Sequence, residues 1–362
     1  MLFRQVINED LGCASYLVGD TGTGLAAVVD PQWDVAPYLE AAAERGLRIA
    51  HVIETHTHAD HVSGHGRLHQ ATGATLHVSP LAHAEHPHQP FPDGAEVVLG
   101  DVVLRAVHLP GHRPEHTGVL VVDRTRGEAP WAVLTGDSLF VGDVARPDLA
   151  VRAEEGAADL FESMGRLLAL PDWTEVYPGH IGGSLCGSAA ISEKTSTTIG
   201  FERAFSPLLG VSGRGAFVRE LTARVGTKPP DVELVVAMNR GPLLTGVPEA
   251  PALEPDELWR RAGAGAVVLD GRESPAFDAA HVPGAVGVPL SGTGFATKAA
   301  MVIPPAADLL LVADHEADAR EMARRLAAVG RGARVTGVLA GGFAAWAAQG
   351  LPEWGYESLR PY

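Results

Sequence analysis

At 362 residues the chain is long for one domain and comfortable for two, since domains usually run to about 100 to 200 residues. Hydrophobic residues make up 46% and charged residues 20%, ordinary globular usage, and no apolar run approaches the roughly 20 residues of a spanning helix. A formal charge of −16 argues against non-specific binding to nucleic acid or anionic lipid, because both need basic patches; neither nucleic acid nor membrane is expected as a partner.

The chain opens on Met1-Leu2-Phe3-Arg4-Gln5, which lacks the charged start, apolar core and small-residue cleavage site of a signal peptide, so a cytoplasmic location is expected. Cys13 and Cys186 are too few for a disulfide framework, and Cys13 is expected to pack as a small buried hydrophobe. Apolar runs at 14–18 and 25–29 flank Gly19-Asp20-Thr21-Gly22-Thr23-Gly24 and predict a hairpin. Val35, Tyr38, Leu39, Ala42 and Ala43 lie at helical spacing, closed by Gly46.

The next apolar strand, ending at Ile53, leads into His56, His58, Asp60 and His61. On an extended strand end, positions 56 and 58 point to one side, and a turn at 59–61 can aim Asp60 and His61 at an adjacent point. Imidazole is a good ligand for zinc, iron or copper, and a carboxylate beside it either binds the metal or orients a ligand histidine. This stretch is therefore the expected core of a metal site.

A helix is predicted over 64–73, a strand over 74–78, and a loop over 81–92 whose His83, His86 and His88 are expected at the surface. Strands at 95–99 and 102–108 deliver Pro110-Gly111-His112, strands at 118–123 and 131–135 deliver Gly136-Asp137, and a helix near 157–170 precedes Val176-Tyr177-Pro178-Gly179-His180. Strand ends that repeatedly present His or Asp suit a sandwich with its site along one edge. The residues by themselves thus predict an α/β metalloprotein with catalytic capacity.

The set His56-x-His58-x-Asp60-His61 with His112, Asp137 and His180 resembles the metallo-β-lactamase fold over about residues 1–238. The resemblance implies an αββα sandwich. Val141 to Asp148, with Arg146, then Tyr177-Pro178-Gly179-His180, Gly183-Ser184-Leu185-Cys186-Gly187 and Thr198-Ile199-Gly200-Phe201-Glu202 look like persulfide dioxygenases rather than glyoxalase II thioesterases. In that family Fe(II) is held by positions corresponding to His56, His112 and Asp137. The resemblance then makes His58, Asp60, His61 and His180 supporting or second-metal residues, and Arg146, Tyr177 and Cys186 substrate contacts. Cys186 either takes up sulfane sulfur or packs.

Residues 239–255 are rich in Pro and Gly and read as a linker, followed by a second domain over 256–362. Its alternating strands and helices imply a parallel sheet. Asp270-Gly271-Arg272-Glu273, Phe277 to Ala285 and Val338 to Trp346 resemble a rhodanese-like domain. Where an active rhodanese carries its nucleophilic Cys, this chain has Ala313-Asp314-His315-Glu316-Ala317-Asp318, which offers no thiol and an acidic loop. This half is expected to be catalytically inactive and to serve as scaffold, oligomer contact or pocket wall.

The expected activity is Fe(II)-dependent oxidation of a low-molecular-weight thiol persulfide by O2 to sulfite and free thiol, in a homo-oligomer. The alternative is a Zn(II)-dependent thioester hydrolase of glyoxalase II type, since all seven ligand positions are present. A third reading is a sulfide-sensing module whose degenerate rhodanese domain binds a partner.

Overall fold

The computed structural model describes residues 1–182, 184, 186 and 190–356. They form two compact units, Met1–Thr245 and Gly246–Tyr362.

The first unit holds two six-stranded sheets. One is ordered β1 (Leu2–Asn8), β2 (Cys13–Asp20), β3 (Leu25–Val29), β4 (Arg48–Ile53), β5 (Thr75–Val78) and β6 (Gln89–Pro90), antiparallel as far as β3 and parallel beyond it. The other is ordered in reverse from β12 (Thr197–Thr198) through β11 (Glu175–Pro178), β10 (Ala132–Gly136), β9 (Thr117–Asp123) and β8 (Val102–His108) to β7 (Glu96–Val98), with β10 and β11 its parallel pair.

The strands read as nearly continuous apolar runs because both faces of each sheet are covered. Tyr16, Val18, Ala27, Val29 and Ile53 meet Leu104, Ala106, Val119, Val121 and Leu134 in one buried core between the sheets. Their alternates Leu17, Ala26, Val28 and Val52 share a second core with Tyr38, Ala41 and Leu68 of helices α1 (Ala36–Glu44) and α2 (His65–Thr72). On the far side Val133 and Val176 pack with Leu160 and Met164 of α3 (Ala153–Leu168), Ile199 of α4 (Ile199–Phe205) and Phe217 of α5 (Arg214–Thr222). The two-residue period of the strands thus divides their side chains between an inner and an outer layer, which gives the αββα sandwich. A further helix, α6 (Val232–Arg240), follows.

The segment 81–92 departs from a plain surface loop. It opens with a 3-10 turn at Pro80–Ala82, pairs β6 with β5 and buries Phe91. His86 is drawn in with it, 5% exposed, its ring centroid 4.9 Å from that of His65; His83 stays exposed and His88 is half-buried.

The second unit carries a five-stranded, all-parallel sheet. Its elements run β13 (Ala252–Leu253), α7 (Pro255–Gly263), β14 (Val267–Asp270), α8 (Ser274–Ala279), β15 (Val286–Gly287), α9 (Phe295–Val302), β16 (Leu309–Val312), α10 (Glu316–Ala328), β17 (Val335–Leu339) and α11 (Gly342–Ala348). The sheet order is β13-β17-β16-β14-β15, with the fully buried β16 at its centre and Trp346 of α11 in the core beside Leu310 and Val312. Of the stretch read as a linker, the first residues complete α6 and Ala252 begins β13. Among the described residues no helix is long and apolar enough to cross a membrane.

Between β4 and β5, His51 Nδ1 lies 3.0 Å from His77 Nε2. Burial and the neighbouring imidazole push His77 down to about 4, so the folded state prefers it neutral while the unfolded chain takes up a proton near pH 6.5. The unfolded state therefore binds more protons between those values, and this site's contribution to stability is present above about pH 6.5 and lost as pH falls through about 4. Thermal denaturation followed by circular dichroism is expected to show a shallower loss of Tm between pH 7 and 4 in His77→Asn than in the unmodified chain.

Candidate metal centre

Because β3 is parallel to β4, β10 is parallel to β11, and β8 and β10 both run antiparallel to β9, each sheet brings several strand ends to one edge. Asp30 follows β3, Glu54 to His61 follow β4, His112 and His116 follow β8, Asp137 follows β10 and His180 follows β11. Cys13 starts β2 beside His180, to which it forms an isolated bridge. The approach of these loops requires glycine. A Cβ at Gly136, which has φ +49°, would lie 2.6 Å from Thr55 Oγ1 and 2.7 Å from His116 Nε2. One at Gly179 would lie 2.5 Å from Asp137 Oδ1.

The donor atoms of His56, His112 and Asp137 all lie within 4.8 Å of one another, and all three side chains are buried. Asp137 Oδ2 is 3.5 Å from His112 Nε2 and 3.9 Å from His56 Nε2. Behind them, Thr55 Oγ1 donates to Asp30 Oδ2 at 2.8 Å and accepts from His56 Nδ1 at 2.9 Å, while His112 Nδ1 donates to the Arg146 carbonyl at 3.0 Å. Both neutral rings therefore carry their proton on Nδ1 and turn an Nε2 lone pair toward Asp137. Burial pulls both imidazoles down, His56 strongly and with the charges of neighbouring rings adding to the effect. His116 sits behind them: its Nε2 accepts the Asp137 amide N–H at 2.9 Å, and burial pushes it down to about 3, which keeps it an acceptor.

A second group adjoins the first. His180 Nε2 is 3.2 Å from Asp137 Oδ2 and 3.4 Å from Asp60 Oδ2, with its Nδ1 donating to the Gly12 carbonyl at 3.1 Å. Burial raises the Asp137 carboxyl, but the charge of His180 outweighs it and takes the group down to about 2. His61 Nδ1 meets Asp60 Oδ1 at 3.2 Å; burial and His58 lower His61, yet Asp60 and Cys13 hold it at about 9.

Cys13, expected only to pack, belongs to this group: its Sγ donates to Asp60 Oδ2 at 3.5 Å and lies 3.9 Å from His61 Nδ1. The antiparallel start of β2 carries it there, which no spacing in the sequence signals. Cys186 lies with Asp60 and His180 in a further cluster, packed among Phe140, Ala145 and Ile191, and burial pushes its thiol well up. Of the motif around Cys186, residues Gly183, Leu185 and Gly187 fall outside the described residues.

His58 stands beside this group, its ring centroid 4.3 Å from that of His56 and its Nδ1 buried without a hydrogen-bond partner. Its Nε2 lies 3.3 Å from both Asp30 Oδ1 and Glu54 Oε2, forming a third buried cluster. Burial lowers His58, but these carboxylates outweigh it and hold the ring well above the usual range. The guanidinium of Arg146 is taken up by Asp148 and by the carbonyls of Gly226 and Thr227. Tyr177 donates to Glu175 Oε2 at 2.6 Å, and its ring joins Phe3, Tyr16 and Trp131. Asn239 of α6, unremarked in the sequence, donates to the carbonyls of His58 and His61 and accepts from Ser63 N–H.

Nε2 of His56, His61 and His112, both ring nitrogens of His58 and both oxygens of Asp137 are buried without a hydrogen-bond partner. Leaving several such groups dry is costly, and converging nitrogen and carboxylate donors match a divalent transition-metal ion. The buried His and Asp groups thus fit a metal site. Replacing Thr55 by Val removes the acceptor that sets the His56 tautomer; chelator competition is expected to show metal binding about 10- to 100-fold weaker. Gly136→Ala introduces strain of about 1–3 kcal/mol at a positive φ and a clash with Thr55 and His116, measurable as a lowered Tm.

The metallo-beta-lactamase superfamily model matches residues 8–180 and the rhodanese-like domain model residues 254–349. Hydroxyacylglutathione hydrolase of Methylococcus capsulatus is 34% identical over 171 residues, 46% of this chain, and the match spans 60% of the hydrolase's own length. The mitochondrial persulfide dioxygenase ETHE1 of Homo sapiens is 28% identical over 244 residues, 66% of this chain and 87% of that protein. Among solved structures, a metallo-beta-lactamase from Staphylococcus aureus superposes with TM-score 0.83 at 25% identity, covering 94% of this chain and 98% of that one. ETHE1 from Myxococcus xanthus gives 0.59 at 30% identity, covering 66% and 98%. A sandwich with His and Asp at its strand ends, matched by that model and by a 30% identical relative along nearly its whole length, makes this chain a member of the metallo-β-lactamase superfamily, with a rhodanese-like domain following.

Proposed function

We propose that the chain is an Fe(II)-dependent persulfide dioxygenase acting on a low-molecular-weight thiol persulfide: RSSH + O2 + H2O gives RSH + H2SO3. The observation that carries this reading is the buried two-histidine, one-carboxylate set His56, His112 and Asp137. One iron held by His56, His112 and Asp137 would supply open positions for O2 and the substrate sulfur.

The chain's own residues then have defined tasks. Thr55 and the Arg146 carbonyl fix the two imidazoles. His116 fixes the Asp137 backbone. Cys13 and Cys186 place two thiols on the side occupied by Asp60 and His180. Arg146 and Tyr177 would meet the substrate with the Arg146 guanidinium oriented by Asp148 and the Tyr177 hydroxyl by Glu175. The likeness to a persulfide dioxygenase over 66% of the chain supports the reading.

A zinc hydrolase of hydroxyacylglutathione type is the second reading, favoured by Asp137 Oδ2 lying 3.5 Å from His112 Nε2 and 3.2 Å from His180 Nε2, where one carboxylate could serve two ions. Protein purified anaerobically and loaded with Fe(II) is expected to consume O2 when given glutathione or coenzyme A persulfide, with His112→Ala abolishing it. Zinc-loaded protein that turns over S-lactoylglutathione, with iron-loaded protein inert toward every persulfide, would decide for the hydrolase.

In the second unit β16 passes through Ala313 and Asp314 to His315, the residue before α10, with Glu316 and Asp318 in the first turn of that helix. No thiol is present at that place, so the full chain is expected to form no thiocyanate from thiosulfate and cyanide above the uncatalysed rate.

A further inference from the structure

The turn after β8 carries a buried positive charge. Arg113 follows His112, and its carbonyl accepts the N–H groups of Gly111 at 3.3 Å and His116 at 3.2 Å, so its backbone is fixed between the two histidines. The side chain is 4% exposed. Its Nε donates to Glu115 Oε1 at 2.7 Å, and the same oxygen accepts the N–H of Thr57, between His56 and His58, at 3.3 Å. Glu115 thereby ties the guanidinium to the ligand loop.

Beyond that bond the guanidinium is unused. Among the described residues no acceptor meets Nη1 or Nη2 of Arg113, and neither nitrogen is sealed inside the protein. A charged group taken out of water and left with free donors is costly unless a ligand meets it. The charge balance is uneven as well. Arg240 Nη2 lies 3.8 Å from the same Glu115 oxygen, and Arg240 Nε is buried without a partner. Burial raises Glu115, but the charge of Arg113 outweighs it and holds the carboxyl below its usual range. Two guanidinium groups against one carboxylate leave one positive charge over, in a chain whose net charge is −16. It stands close to the metal centre: burial lowers His56 and His112 most, and the Arg113 charge is felt by both.

We propose that the two Nη groups of Arg113 seat a carboxylate of the thiol carrier, which makes Arg113 a specificity-determining residue of the metal centre. An arginine held through Nε keeps its Nη pair as an end-on fork, and that fork matches the two oxygens of a carboxylate. An acidic protein repels an anionic substrate unless positive charge is concentrated at the site. The single surplus charge suits a monoanion better than a phosphate dianion, so the substrate class narrows to carboxylate-bearing thiol derivatives such as those of glutathione. This rests on the proposed function only in taking a thiol carrier as substrate, which the dioxygenase and hydrolase readings share.

The test compares two ligands that differ in their carboxylates. S-methylglutathione and its diethyl ester are titrated by calorimetry into full-length, iron-loaded protein kept free of O2. The unmodified chain is expected to bind the acid more tightly than the ester. Arg113→Met, similar in length but uncharged, is expected to weaken the acid about 10- to 100-fold and to leave the ester unchanged. If circular dichroism shows Arg113→Met unfolded, Arg113→Lys, whose ammonium satisfies Glu115 but offers no fork, carries the same comparison.

Equal weakening of acid and ester, as a purely structural arginine would give, overturns the proposal. So does an unchanged affinity for the acid, or an unmodified chain that does not prefer the acid to the ester. Binding of S-methyl coenzyme A that is lost in Arg113→Met, with S-methylglutathione unaffected, overturns the carboxylate in favour of a phosphate. Acid binding lost with Arg113, together with an iron-loaded unmodified chain inert toward every persulfide, sinks the dioxygenase reading and leaves the carboxylate seat standing.

Discussion

The first unit is organised around one costly arrangement, a fully buried carboxylate with no hydrogen bond to either oxygen. Asp137 Oδ2 faces Nε2 of His180, His112 and His56 at 3.2, 3.5 and 3.9 Å. Burying a charged group in this way is tolerated only where opposite charge or a metal compensates it. The surrounding structure serves that compensation. The parallel register of β10 and β11 places Asp137 and His180 on adjacent strand ends, Gly136 and Gly179 let the backbones close, and His116 takes the Asp137 amide.

The imidazoles are oriented from behind by partners of different kinds. His112 and His180 lean on backbone carbonyls, which fix a tautomer and add no charge. His56 leans on Thr55 and through it on Asp30, a carboxylate that also faces His58. The ligand loop and the end of β3 therefore form one hydrogen-bonded unit, and a change at Asp30 is felt at two histidines. This bears on why relatives with hydrolase and dioxygenase names share so much of their sequence with this chain. A common set of donor residues fits either chemistry.

The second unit follows a different logic. Its all-parallel sheet, with β16 buried on both faces, needs no catalytic group to be stable. At the start of α10, Glu316 and Asp318 complement the positive end of the helix dipole. The same charges would oppose a sulfur-bearing anion placed there.

The sequence by itself determined the two-part organisation, the strand-and-helix order and the ligand types at the strand ends. Those are local properties: apolar period, Gly and Pro punctuation, and His or Asp placed immediately after apolar runs. It also disclosed the missing thiol at Ala313-Asp314-His315, since an absent side chain needs no coordinates to be noticed. Only the tertiary structure decided how equivalent-looking residues divide. His58 turns to Asp30 and Glu54, Cys13 arrives beside Asp60, Asn239 ties down the ligand loop from α6, His86 is buried, and Arg146 contributes its carbonyl while Asp148 occupies its guanidinium. Each depends on strand register or on contacts between residues far apart in sequence, and periodicity along one segment carries no information about the partner that another segment will bring.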